Sequence, residues 1–201
     1  MKPQDALALI ELDSIPAGIL TADAMLKEAP IAVLKSGTVH NGKYLILVGG
    51  SVASVGMAFA KGMSRGQDHL LDAVFLPDIH ESVYQACLGK RMTCGSEALS
   101  VMEVSTVAAI LQSSDAAMKG AEVKLVELRL ADDLGGKSIA IYAGKVEDVE
   151  MAINISEKTV EKPENILSQS IIPHIDPELA KQINASTYFS KSDLSKLDGA
   201  E

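Results

Sequence analysis

The sequence predicts an α+β fold made by tandem duplication of one ferredoxin-like lobe, β-α-β-β-α-β, and three observations carry that expectation. The chain has 201 residues, 47% apolar and 22% charged, a globular balance with room for one large domain or two small ones. Residues 11–31 laid on residues 103–123 agree at Glu11/Glu103, Ala17/Ala109, Asp23/Asp115, Ala24/Ala116, Lys27/Lys119 and Ala29/Ala121, more than shared composition gives. Both halves then pass through the same succession of β-rich runs and helical periodicity.

In the first copy Ala6 to Leu12 reads as a strand. Ser14 can cap a helix that accepts Pro16 in its first turn. Ile15, Ile19, Ala22, Met25, Leu26 and Ala29 then recur at helical spacing, which predicts one inward face. Ile31 to Lys35 and Tyr44 to Val48 are β-rich runs either side of a Gly-bearing loop, the pattern of a hairpin. Val52 to Met63 is again helical, Leu70 to Leu76 a strand and Ile79 to Leu88 a terminal helix. That order suggests an antiparallel sheet with helices on one face.

The second copy follows with strands near Leu99 to Val104, Lys124 to Leu130, Ser138 to Tyr142 and Leu167 to Ile172. After small insertions Gly42-Lys43 meets Gly136-Lys137 and Leu76-Pro77-Asp78-Ile79 meets Ile172-Pro173-His174-Ile175. The expected organisation is residues 1–90 as the first domain, 91–96 as a polar linker, 97–189 as the second domain and 190–201 as a mobile tail.

Composition also excludes functions. With 18 basic against 27 acidic residues, a formal −9, no Trp and few other aromatic residues, neither nucleic acid nor an anionic lipid surface is an expected partner. No apolar run approaches the roughly 20 residues of a membrane helix, and the first residues lack a signal-peptide pattern, so a cytoplasmic location is expected. Cys87 and Cys94 are spaced like no common zinc motif and read as reduced structural thiols. No nucleophile elbow, P-loop or His-Glu-x-x-His is present. A non-enzyme is therefore expected.

The runs Leu9-Ile10-Glu11-Leu12, Ile15-Pro16-Ala17-Gly18, Thr21-Ala22-Asp23-Ala24-Met25-Leu26-Lys27 and Gly49-Gly50-Ser51-Val52 resemble the bacterial microcompartment (BMC) shell domain. Ser113-Ser114-Asp115-Ala116-Ala117-Met118-Lys119 and Gly144-Lys145-Val146-Glu147-Asp148-Val149 repeat the likeness. Both copies keep the unpermuted order, so the chain is similar to the tandem-domain, propanediol-utilisation type T shell proteins. The resemblance implies a structural role. It further implies a homotrimer forming a pseudohexameric tile around a central pore, with hexameric and pentameric shell proteins and encapsulated enzymes as partners.

In that family the loop between the second and third strands lines the pore. The resemblance carries this role to Thr38, Val39, His40, Asn41 and Gly42 in the first copy and Asp132, Asp133, Leu134 and Gly135 in the second. Asp132 and Asp133 would put rings of carboxylate on the rim, which favour cations; the plainer reading is a solvated acidic turn. Some type T relatives carry a cysteine at the place of His40, and three such cysteines hold an iron–sulfur cluster on the threefold axis. Here no cysteine aligns with that loop, and no cofactor is expected. Three His40 imidazoles could instead bind a transition metal or line a polar opening. Lys27 and Lys119 match the lysine that in the family contacts a neighbouring tile; the plainer reading is a cation near a helix C-terminus. Two other functions stay open, a metal or redox conduit through His40 and a tandem-lobe sensor of small molecules.

Overall fold

The computed structural model describes residues 5–95, 97–192 and 194. The first four residues, Ser96 at the end of the predicted linker, and residues 193 and 195–201 of the predicted tail lie outside the described residues. The first lobe runs β1 (Ala6–Leu12), α1 (Ile15–Glu28), β2 (Val33–Val39), β3 (Lys43–Gly50), α2 (Val52–Gly66), β4 (Leu70–Leu76) and α3 (Glu81–Cys87). The second repeats it as β5 (Ala98–Val104), α4 (Val107–Gly120), β6 (Lys124–Leu130), β7 (Ser138–Gly144), α5 (Val146–Thr159), β8 (Ile166–Ile172) and α6 (Pro177–Ala185). Each lobe holds one antiparallel sheet, ordered β2-β3-β1-β4 and β6-β7-β5-β8.

The caps follow from the sequence. The Ser14 hydroxyl accepts from the Ala17 N–H at 3.4 Å and Thr106 from Ala109 at 3.3 Å, each satisfying one orphan donor of its helix. Alternation along β1 divides its side chains. Ala6, Ala8, Ile10 and Leu12 pack with Met25 of α1 and Val55 and Ala58 of α2, whereas Leu7 and Leu9 face the opposite way. Helix α2 approaches β1 closely at Gly62, where a methyl group would overlap Ile10 and the Met25 sulfur. Gly62→Ala is expected to destabilise the chain by about 1–3 kcal/mol through overpacking, seen as a lower urea midpoint with no change of fold by circular dichroism.

Three expectations need correction. Strand β2 begins at Val33 and continues to Val39, pairing Thr38 with Tyr44 and Val39 with Lys43, so the turn shrinks to His40–Gly42. The single Gly37 does not interrupt a ladder whose hydrogen bonds are all backbone. The α1 face predicted to be inward is split: Ala22, Met25 and Ala29 are buried, but Ile15 is 40%, Ile19 56% and Leu26 46% exposed. Finally, helices cover more than one face of the first sheet. Leu7, Leu9, Leu45, Leu47, Val74 and Leu76 on its far side join one core with α3 and with Val107, Ala108 and Leu111 at the start of α4.

The linker is fixed to the second lobe. Arg91 pairs with Glu127 at 3.0 Å and donates to the Ile183 carbonyl at 2.6 Å, while Cys94 and Asn184 exchange hydrogen bonds. Cys87 is buried in the shared core, and burial pushes its thiol up to about 12.

Candidate functional site

The junction between the lobes is organised by one buried carboxylate. Glu11 lies on β1 with no exposure, and Lys43, at the first position of β3, reaches it at 2.6 Å. Its other oxygen accepts the Val107 N–H at 2.8 Å, an unsatisfied donor at the first turn of α4 that also carries the positive end of the helix dipole. Burial pushes the Glu11 carboxyl up; Lys43 and the Val107 N–H pull it down. Lys43 completes the knot by donating to the carbonyls of Ser105 at 2.9 Å and Gly136 at 3.2 Å. Beside it Asp72 of β4 accepts from the Thr106 hydroxyl at 2.6 Å and the Asn165 amide at 3.3 Å. At the far end of α4, Asp115 accepts the His80 N–H at 2.7 Å and pairs with Lys119 at 2.8 Å, and Lys119 also donates to the Asp78 carbonyl.

The two strand-connecting loops meet at one end of this junction. The Asp133 N–H donates to His40 Nδ1 at 3.0 Å, and His40 Nε2 lies 3.9 Å from the Asp133 carboxylate. Gly136 lies so close to the first loop that a methyl there would stand 3.3 Å from the His40 carbonyl and from Asn41 Cβ. Left-handed backbone is concentrated here: Asn41, Gly42, Ala131, Asp133, Gly135 and Gly136 all have positive φ. Asp132 and Asp133 are exposed, Leu134 is half-buried, and Thr38 and Val39 belong to the end of β2. The structure therefore brings together His40 and Asn41 with Asp133 and Gly136, which the repeat alignment could not foresee.

Neither loop carries a thiol, so its donors do not fit a cysteine-held cluster; Cys87 lies in the core and Cys94 on the linker. His40 keeps only Nε2 free of the Asp133 N–H. Among the described residues of one chain no three His, Cys, Asp or Glu side chains gather as metal ligands.

Among the described residues each half of the junction recurs elsewhere with its surface open. Lys137 and Glu103, the counterparts of Lys43 and Glu11, pair at 3.1 Å with side chains 50% and 30% exposed, against 13% and 0% in the closed version. Ile15 and Ile19 on α1 are exposed where their counterparts Val107 and Leu111 are fully buried. Leu179 on α6 is 47% exposed and corresponds to Val83, at 0%. Leu34, paired with Val48, is 40% exposed and stands where Leu125, paired with Tyr142, is 3% exposed. Lys27 pairs with Asp23 at 2.7 Å in the open counterpart of the Asp115–Lys119 pair. Nothing in the sequence by itself marks Glu11, Lys43 and Asp72 as junction residues. The first two do recur in both copies; Asp72, matched by Ser168, carries no such signal.

Comparison with known proteins gives consistent results. Residues 6–79 and 98–175 each match the BMC domain. The bacterial microcompartment shell protein PduT of Citrobacter freundii is 35% identical over 178 residues, 89% of this chain and 97% of its own. The carboxysome assembly protein CcmO of a Synechocystis strain is 27% identical over 205 residues, covering 94% of this chain and 68% of CcmO. A crystal structure of a microcompartment protein from Desulfitobacterium hafniense superposes with a TM-score of 0.77 at 30% identity, over 89% of this chain and 99% of that one. No helix among the described residues is long and apolar enough to cross a membrane.

Proposed function

Because the chain belongs to the BMC-domain family and is a shell subunit of a bacterial microcompartment, we propose that it works as a ring of three copies, a pseudohexameric tile with a central pore. One observation carries this reading: each chain contains a closed lobe-to-lobe seam and both open halves of a second. The seam is heterologous, and repetition of a heterologous contact either closes a ring or runs on as a filament. Closure is favoured by the loops, which already touch within one chain at His40 and Asp133 and so converge on a common centre.

In the open seam α1 of one copy enters the second lobe of the next. The Ile15 N–H meets Glu103 as the Val107 N–H meets Glu11, and Ile15 and Ile19 cover Val101, Ile139 and Ile172. The pore is then bordered by His40, Asn41 and Gly42 from three copies alternating with Asp132, Asp133, Leu134 and Gly135, with Thr38 and Val39 behind. Its carboxylates admit cations more readily than anions. Lys27 and Lys119 lie at the rims of the seams, and their exposed parts face the perimeter, where hexameric and pentameric shell proteins abut. No side chain is assigned a catalytic role, and the comparisons give no support to a sensor or to a metal conduit. Light scattering after size exclusion at micromolar concentration tests the ring: the expected mass is three times the 21.2 kDa of the chain, and a monomer or dimer would overturn it.

A further inference from the structure

The two kinds of seam are not equally well held. Within a chain, the segment leaving α3 continues as the linker and is pinned to the free edge of β6, where the Met92 N–H donates to the Val126 carbonyl at 3.0 Å. Between chains no covalent continuation exists. The segment leaving α6 instead passes into a short turn, Phe189–Lys191; Tyr188, just before it, is stacked under the Arg129 guanidinium at 3.8 Å, and Phe189 is 96% exposed. An aromatic side chain of that size left in water is a strong departure for a surface residue.

Phe189 is not isolated. It borders a groove on the outer side of α6 together with Leu179, Ile183 and Tyr188. Leu179 is the counterpart of Val83, which in the closed seam is buried in the same core as Leu125 of β6. The residue standing in the place of Leu125 on the first sheet is Leu34, and β2, which carries it, is an edge strand with β3 as its neighbour.

We infer that this groove is the socket for Leu34 of the next copy of the chain, and that Phe189 closes over it as an anchor that the seam within a chain does not have. Tyr188, fixed on Arg129, holds the anchor in position, so little conformational freedom is lost when the neighbour arrives. Phe189 thereby does for the seam between chains what the linker does for the seam within one. The second copy is the fitting occupant because Leu179 and Ile183, which line the groove, stand where Val83 and Cys87 are buried against the neighbouring lobe in the closed seam. This inference rests on the ring of three copies.

The test compares full-length wild-type and Phe189→Ala chains by sedimentation equilibrium over a wide concentration range. The expected result is a trimer for the wild type and a dissociation midpoint raised at least tenfold by the substitution, with the melting curve of the dilute, dissociated chain unchanged. As a second readout, Phe189→Cys combined with Leu34→Cys should give disulfide-linked ladders between chains under oxidation, while either change alone gives none. A wild-type trimer whose midpoint does not move in Phe189→Ala overturns the anchor and leaves the ring standing. A wild-type monomer removes both.

Discussion

Lys43→Ala is expected to destabilise the chain by about 3–5 kcal/mol, because it strands the Glu11 carboxylate in a site with no exposure. The loss should exceed that of a typical ion-pair deletion, since Lys43 also holds the Ser105 and Gly136 carbonyls and so joins three segments. Urea unfolding followed by circular dichroism measures it. The pH dependence has a definite sign. Burial already raises the Glu11 carboxyl, and without the ammonium it rises further, so the folded variant binds a proton more tightly than the unfolded one. Stability of the variant is then retained near and below the ordinary carboxylate range and lost as pH rises through the raised value. Its deficit against the wild type should accordingly narrow from pH 8 towards pH 5. The same substitution at Lys137, whose pair is open, should leave the stability of the isolated chain within about 1 kcal/mol.

Ile19→Asp should abolish assembly while leaving the chain folded. Ile19 is 56% exposed, so the lobe tolerates a charge there, but in the ring it would be buried as Leu111 is now, at 0%. An unpaired carboxylate placed at each of three seams should raise the dissociation midpoint by about a hundredfold or more, near 3 kcal/mol. Leu111→Asp supplies the control in the opposite sense. It puts the same charge into the seam within the chain, and unfolding rather than dissociation is the expected outcome, read by thermal melting at a concentration where the wild type is assembled.

These two predictions also show where the sequence was legible and where it was not. Strand and helix identities follow from periodicity and from a cap such as Ser14, because those signals are local and the succession of elements is written twice. The end of β2 was misplaced because Gly37 reads as a breaker, whereas the ladder from Val33 to Val39 is held by backbone pairing that no side chain reports. The α1 stripe was misread for a different reason. Ile15 and Ile19 keep helical spacing with Ala22 and Met25, yet only Ala22 and Met25 are buried within the lobe, and periodicity cannot say which apolar residues its sheet takes. Only the comparison with α4, where Val107 and Leu111 already have their neighbour, separates them. The contact between His40 and Asp133 depends on how the lobes sit together, so no pattern within either copy could announce it.

Among the described residues the chain thus carries a finished seam and the open halves of another, and the proposed ring requires the second to be built like the first. A reconstruction of the purified protein by electron cryomicroscopy, resolved to side chains at the contacts between copies, tests this most directly. The expected reconstruction has the Ile15 N–H of one copy within hydrogen-bond distance of Glu103 in the next, with Lys137 on that carboxylate as Lys43 is on Glu11. Glu103 left in water, or a contact joining first lobe to first lobe, would contradict it.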